Sequence, residues 1–195
     1  MIFINKKFFM PHIDLGNELP GIRGLMAFRP DTADAMGQLA NILLRDEEGI
    51  SRVERELIAT HVSYLNECVY CHTSHGATAC AYMGDADLVE QVRKDYMHAP
   101  ISDKLKALIG IAASVQKSGK SVRVEQIEAA RALGATDREI HDTVLIAAAF
   151  CMFNRYVDGL AATTPTDPDS YAARGRQIAE KGYGKHIFTT QQPVI

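Results

Sequence analysis

The sequence predicts an all-α protein, and three observations carry that prediction. Apolar residues recur at intervals of three or four along most of the 195-residue chain. Helix-start patterns of the S/T-x-x-E type stand at Ser51–Glu54 and Thr136–Glu139. Period-two alternation of apolar and polar residues never persists long enough to define a strand.

In chain order, Pro30 and Asp31 open a helix whose apolar set is Ala33, Met36, Leu39, Ala40, Leu43 and Leu44. Ser51 opens the second, with Val53, Leu57, Ile58, Val62 and Leu65 on its apolar face. The pattern falters near Asn66 and Glu67, and a third helix follows from Cys68 to Met83. Gly84 suits its C-terminal cap, and Asp85 the N-cap of a short fourth helix. Ser102 begins a helix through Leu105, Leu108, Ile109 and Ala112 that ends before Gly119. A shorter one spans Val124 to Leu133, and Thr136 opens a long apolar helix to Leu160. Thr163–Pro168 reads as a linker, followed by a polar helix from Ser170 to Lys181. The two S/T-x-x-E boxes give a weak internal echo between the halves of the chain.

The length fits one domain over 1–195, with a core over 20–162 and a C-terminal arm over 163–195. The stretches before Gly16 and after Gly182 read as arms. With 47% hydrophobic residues, the middle of the chain is not a candidate for disorder. The net charge of -3 and scattered lysines and arginines argue against nucleic acid as a partner. The apolar start MIFINKKFFMPHIDL is interrupted by lysines, unlike a secretory leader. The longest apolar run, Val144–Phe153, is half of the roughly 20 residues that a membrane-spanning helix needs. A cytoplasmic protein without membrane contact is expected.

The informative stretch is ELIATHVSYLNECVYCHTSH, Glu56 to His75. If Cys68 begins a helix, Cys71 shares its face one turn on, close enough for a disulfide. His75 follows Cys71, and His72 follows Cys68, at the same four-residue spacing. If the flanking helices run antiparallel from a turn at Asn66 and Glu67, Glu56 and His75 lie at heights differing by only about 3 Å. A carboxylate then meets an imidazole that serves Cys71. A thiol needs deprotonation before it attacks peroxide; a helix N-terminus and an oriented imidazole both favour the thiolate. The first product is a sulfenic acid, which a neighbouring cysteine converts to a disulfide.

Competing readings exist for the same residues. C-x-x-C alone is not specific to redox chemistry. CVYCH also fits the haem-attachment pattern C-x-x-C-H, which belongs to exported proteins. Cys68, Cys71, His72 and His75 are potential zinc ligands, but within one helix they spread around the axis and do not converge tetrahedrally. By periodicity alone, Glu56 is a solvated helix residue. Cys80 and Cys151 lie in Ala-rich or apolar surroundings and read as small core residues.

Glu56, eleven residues, then Cys68-x-x-Cys71-x-x-x-His75 resembles the signature of the alkyl hydroperoxide reductase D family, within the carboxymuconolactone decarboxylase superfamily. SRVERELIATHVSYLNECVYCHTSHG and the later FNRYVDGL resemble its peroxidase-related subgroup. The match covers about 40 residues. The resemblance implies a fold of antiparallel helix hairpins assembled into homotrimers or homohexamers. It also implies reduction of hydrogen peroxide or organic hydroperoxides without cofactor or metal, with electrons from a dihydrolipoyl-bearing or thioredoxin-like protein. By that analogy Cys71 is the peroxidatic thiol, Cys68 is the resolving thiol exposed to the reductant, and His75 with Glu56 forms a proton relay. The decarboxylases of the superfamily lack the cysteine pair. General thiol–disulfide exchange or redox sensing is the rival reading.

One departure is notable. The family's best-studied members carry a relay histidine just before the second cysteine; here it is Tyr70, a hydrogen-bond donor but a poor base at neutral pH. His72, and less favourably His61, are the candidates to compensate. Asn154, Arg155 and Asp158, polar on an otherwise apolar helix, are expected to serve structure.

Overall fold

The computed structural model describes residues 10–188. Nine α-helices occur among the described residues, and no strand. They are α1 (Ile22–Phe28), α2 (Pro30–Arg45), α3 (Arg52–Leu65), α4 (Val69–Met83), α5 (Ala86–Asp95), α6 (Asp103–Lys117), α7 (Val124–Ala132), α8 (Asp137–Gly159) and α9 (Pro168–Lys181). Single 3-10 turns lie at Gly119–Ser121 and Lys185–Ile187. The first part of the N-terminal stretch read against a leader, up to residue 9, and the end of the arm from residue 189 lie outside the described residues. No described helix is long and apolar enough to cross a membrane.

Local chemistry sets most boundaries. Ser51 Oγ accepts from the Glu54 backbone N–H, and Glu54 Oε2 accepts from the Ser51 N–H at 2.7 Å, so α3 starts with two otherwise orphaned donors satisfied. Thr136 and Glu139 do the same for α8. Gly84 ends α4 with φ 74°, and Asp85 caps α5 by accepting from the Leu88 N–H. Helix α1 is the element that periodicity did not reveal: its seven residues are too few to establish a repeat.

Helix α3 runs through the middle of the molecule. It packs against α4, α8, α6 and α5, and its buried residues form an unbroken run from Arg55 to Ser63. Ile58 and Val62 share one apolar core with Leu108 and Ile109 of α6 and Ile146 and Phe150 of α8. A helix enclosed on every side cannot show its environment through a single apolar stripe. Its buried charged residues find partners inside the molecule instead, whereas the buried Thr60 hydroxyl has no hydrogen-bond partner among the described residues. The fully buried Arg55 donates to the carbonyls of Leu43, Glu48 and Ile50 and to the Asp142 carboxylate, tying α2, the α2–α3 loop and α8 together.

The C-terminal segment differs from the expected arm. Helix α9 lies along α4 so closely that a Cβ at Gly175 would come within 2.4 Å of the Ala77 carbonyl oxygen. Arg45 of α2 donates to the carbonyls of Ile178 and Ala179 at the end of α9. Beyond it, Tyr183 and Phe188 are buried in the main core. Composition misleads here because a polar helix needs few apolar residues to dock. A glycine that allows backbone contact, with Tyr171 and Ile178 buried, is sufficient.

Candidate redox site

The α3–α4 turn presents the cysteines. Glu67 adopts φ 59°, a left-handed conformation that is costly for a residue with a Cβ. The Glu67 N–H donates to the Tyr64 carbonyl, and the Cys68 N–H to the Ser63 carbonyl. The turn is held from behind by a buried amide network. Asn66 donates to Asn154 Oδ1 at 2.8 Å, Asn154 donates to Ser63 Oγ, and Gln116 donates to the Leu65 carbonyl and Asn66 Oδ1. Asn154 thus fixes the turn, and the exposed Arg155 donates to the Cys151 carbonyl of its own helix.

Cys68 is the N-cap of α4 and Cys71 its third residue, among the N–H groups that lack intrahelical acceptors. This end of the helix favours negative charge. Both cysteines are free and buried within a small apolar cluster with Leu15, Leu25, Tyr70, Val157 and Tyr171. Cys68 is 0% exposed, which corrects the expectation that this thiol is open to a reductant. The N-terminal segment supplies part of the cover: the His12 N–H reaches the Leu160 carbonyl, the Gly21 N–H reaches the Thr163 carbonyl, and Leu15 lies between them in sequence. Hydrogen bonding to the Cys71 sulfur, then burial, pushes the Cys68 thiol well above the usual range, with the Asp158 carboxylate adding to the effect.

Glu56 is not solvated. It is 0% exposed, against the reading that periodicity alone gave, and its Oε2 accepts from His75 Nδ1 at 2.8 Å. A carboxylate accepts only, so Nδ1 carries the proton and Nε2 is left as the basic nitrogen. The second carboxylate oxygen, Oε1, accepts from the Tyr183 hydroxyl at 2.6 Å. Burial raises the phenol well above its ordinary pKa, with the Glu56 charge adding, so Tyr183 remains a donor. The His75 ring stacks against Tyr183 and meets Phe150 edge-on at 4.6 Å between centroids. Sequence reasoning missed Tyr183. It follows Gly182 in a segment read as an arm, and no spacing relates it to Glu56, 127 residues earlier.

His75 and Cys71 line the same cavity of about 60 Å³, together with Tyr70, Ser74 and Tyr183. Apolar walls come from Met26, Phe150 and Ile178. Tyr70 is held at its place by Gly21, whose φ is +57° and where any Cβ would fall within 2.2 Å of the phenol ring. Burial raises Tyr70 to about 12, so it offers a proton donor and not a base.

The other two histidines are engaged elsewhere. His72 Nδ1 accepts from Arg93 at 2.9 Å, and His72 faces a groove between α4, α5 and α9. Burial, then the Arg93 charge, lowers it to about 4. His61 Nδ1 meets the Arg93 carbonyl at 3.0 Å, its ring packs edge-on against Tyr96, and burial lowers its pKa too. Cys80 and Cys151 are partly buried and pack against the core. Among the described residues, no three His, Cys, Asp or Glu side chains converge as a metal site.

Two solved structures share this architecture at 29% identity, a TM-score of 0.72 and coverage of 80% of this chain and 81% of theirs. One is an uncharacterized peroxidase-related protein from Silicibacter sp. TM1040, and the other an alkylhydroperoxidase AhpD core, an uncharacterized peroxidase-related protein from Ralstonia eutropha JMP134. A third, a putative antioxidant defence protein AhpD from Agrobacterium tumefaciens, is 20% identical with a TM-score of 0.64. It covers 73% of this chain and 97% of its own, and shares the fold. No curated protein matches. The model of the Carboxymuconolactone decarboxylase family matches residues 30–87 and 86–165, a span that holds the α3–α4 turn, both cysteines, Glu56 and His75. This chain belongs to the carboxymuconolactone decarboxylase family.

Proposed function

We propose that this protein is a thiol peroxidase that reduces hydrogen peroxide or organic hydroperoxides, with Cys71 as the attacking sulfur. The observation that carries the reading is the 2.8 Å bond from His75 Nδ1 to the buried Glu56, with His75 and Cys71 on one cavity. The oriented imidazole takes the Cys71 proton at Nε2, and the Glu56 charge stabilises the resulting imidazolium. The thiolate attacks one peroxide oxygen. An S–O bond forms, the O–O bond breaks, and the leaving alkoxide, or hydroxide from hydrogen peroxide, takes the proton from His75 and departs as alcohol or water. Cys68 then attacks the sulfenic sulfur; the S–S bond forms, the S–O bond breaks, and hydroxide leaves as water with the Cys68 proton. A dithiol protein of the dihydrolipoyl or thioredoxin-like class returns two electrons.

The role assignment is supported by the cavity, which Cys71 lines together with His75 and Cys68 does not. His72 and His61 take no part in the relay, and Tyr70 serves as a donor toward the cavity. A homotrimer or homohexamer in the cytoplasm belongs to the same reading, with the exposed Val69 and Met152 available to a subunit contact.

The test is stopped-flow oxidation of pre-reduced protein by hydrogen peroxide and tert-butyl hydroperoxide. Rapid loss of two thiols in the wild type is expected, with a trappable sulfenic acid in Cys68→Ser and no reaction at this site in Cys71→Ser. Thiols that outlast excess peroxide for hours would remove the assignment.

A further inference from the structure

The segment that follows α9 reaches the Glu56–His75 pair from the side opposite the α3–α4 turn in sequence, and its path is fixed against α2. Arg45 donates to the Ile178 and Ala179 carbonyls at 2.8 and 3.0 Å, holding the last turn of α9. The Tyr183 N–H donates to Asn41 Oδ1 at 3.0 Å. Between them Gly182 adopts φ 76°, and a Cβ there would fall 2.5 Å from Asn41 Oδ1 and 2.7 Å from Arg45 Cδ. The chain thus turns inward at a left-handed position that suits glycine. The side chain that follows the turn is the buried phenol of Tyr183.

Tyr183 touches both members of the pair. Its hydroxyl donates to Glu56 Oε1 at 2.6 Å. Its oxygen also lies 3.2 Å from His75 Nδ1, close enough to share the N–H that Glu56 Oε2 accepts at 2.8 Å. The phenol ring lies nearly parallel to the His75 ring, at 19° and 5.8 Å between centroids. Glu56 is fully enclosed, so bulk water does not replace a donor lost there. With the hydroxyl present the two carboxylate oxygens have different partners, Oε1 the phenol and Oε2 the imidazole. Without it both oxygens compete for one N–H, and the carboxylate no longer sets the plane of the imidazole.

We infer that Tyr183 is a positioning residue of the proton relay, holding the Glu56 carboxylate and the His75 ring so that Nε2 is presented to the cavity that Cys71 lines. This rests on the peroxidase reading and adds to that site a residue from the C-terminal segment. The phenol acts through His75 and keeps its proton, so the bonds made and broken in the peroxide step are unchanged.

Tyr183→Phe keeps the ring and removes the hydroxyl, and two readouts on the intact protein separate positioning from stability alone. In nuclear magnetic resonance spectra of isotope-labelled histidine, wild-type His75 is expected as the Nδ1–H tautomer with its proton far downfield. In the variant that resonance should move upfield or give way to an Nε2–H signal. In stopped-flow oxidation of pre-reduced protein by hydrogen peroxide, the variant's second-order rate constant should fall about tenfold, part of the roughly 100-fold that a 1 Å misplacement costs. Either an unchanged His75 resonance or a rate constant within about twofold of the wild type would overturn the inference and leave the peroxidase reading standing. A lowered unfolding midpoint would then mark the hydroxyl as structural only. Wild-type protein inert toward peroxide would remove the peroxidase reading itself, and this inference with it.

Discussion

Replacing Glu56 by glutamine is the sharpest perturbation of the relay. The side chain keeps its size, and Tyr183 keeps an acceptor at the position that is 2.6 Å from its hydroxyl. What changes is the charge opposite His75 Nδ1, at 2.8 Å and with Glu56 fully enclosed. A hydrogen bond to a charged group contributes about 1.5–3 kcal/mol net, more than a neutral one by roughly a factor of two. Losing most or all of that makes His75 a weaker base toward Cys71 by about 1.5–3 kcal/mol, at about 1.4 kcal/mol per factor of ten. Because thiolate formation at Cys71 draws on that basicity, the oxidation rate constant at neutral pH should fall about 10- to 100-fold. The assay is stopped-flow oxidation of pre-reduced protein by hydrogen peroxide across a pH series. The ultraviolet thiolate absorbance is read in parallel, and circular dichroism checks the fold. The variant's pH profile should move toward alkaline pH, and its rate should recover there. A correctly folded Glu56→Gln protein that reacts within twofold of the wild type would refute the relay.

Tyr183→Phe removes the donor to Glu56 Oε1 and leaves a buried carboxylate oxygen without that partner. A loss of about 1–3 kcal/mol in denaturant-derived stability is expected, and an unchanged unfolding midpoint would show that the bond contributes nothing. His72, at about 4 in the fold against 6.5 in the unfolded chain, and His61, lowered for the same reason, must be neutral to stay buried. Between those limits the unfolded chain binds more protons. The stability they contribute is therefore present above about pH 6.5 and lost as pH falls toward about 4. Discounted for the partial exposure of His72, its share is about 1–2 kcal/mol. Thermal midpoints should fall with acidification more steeply in the wild type than in His72→Gln, and parallel curves would contradict the assignment. Leu15→Ala opens the cover over the Cys68 cluster. The oxidised variant should be reduced by dithiothreitol several-fold faster than the wild type, and equal rates would mean that the N-terminal segment does not limit access.

The helix starts were legible in the sequence because capping is local chemistry. Ser51 with Glu54, Thr136 with Glu139, and Asp85 satisfy orphaned N–H groups within a few residues, whatever the rest of the chain does. Cys68 and Cys71 could be set at the opening of α4, with His75 one turn beyond, because the apolar pattern falters just before them at Asn66 and Glu67. Burial was not legible in the same way. Glu56 and Arg55 sit inside the molecule because α3 is surrounded by α4, α5, α6 and α8, and enclosure is a property of the neighbours. The arrangement of the site depends on long-range packing still more. Tyr183 reaches Glu56, Tyr70 finds room against Gly21, and Arg23 and Arg174 line one cavity only after α1 has docked on α2 and α8, and α9 on α4. Periodicity reports contacts between turns of one helix, whereas these contacts join segments far apart in sequence. Sequence spacing brought two sulfurs and an imidazole to adjacent turns; tertiary packing enclosed the carboxylate, supplied its second donor and shaped the cavity that Cys71 and His75 share.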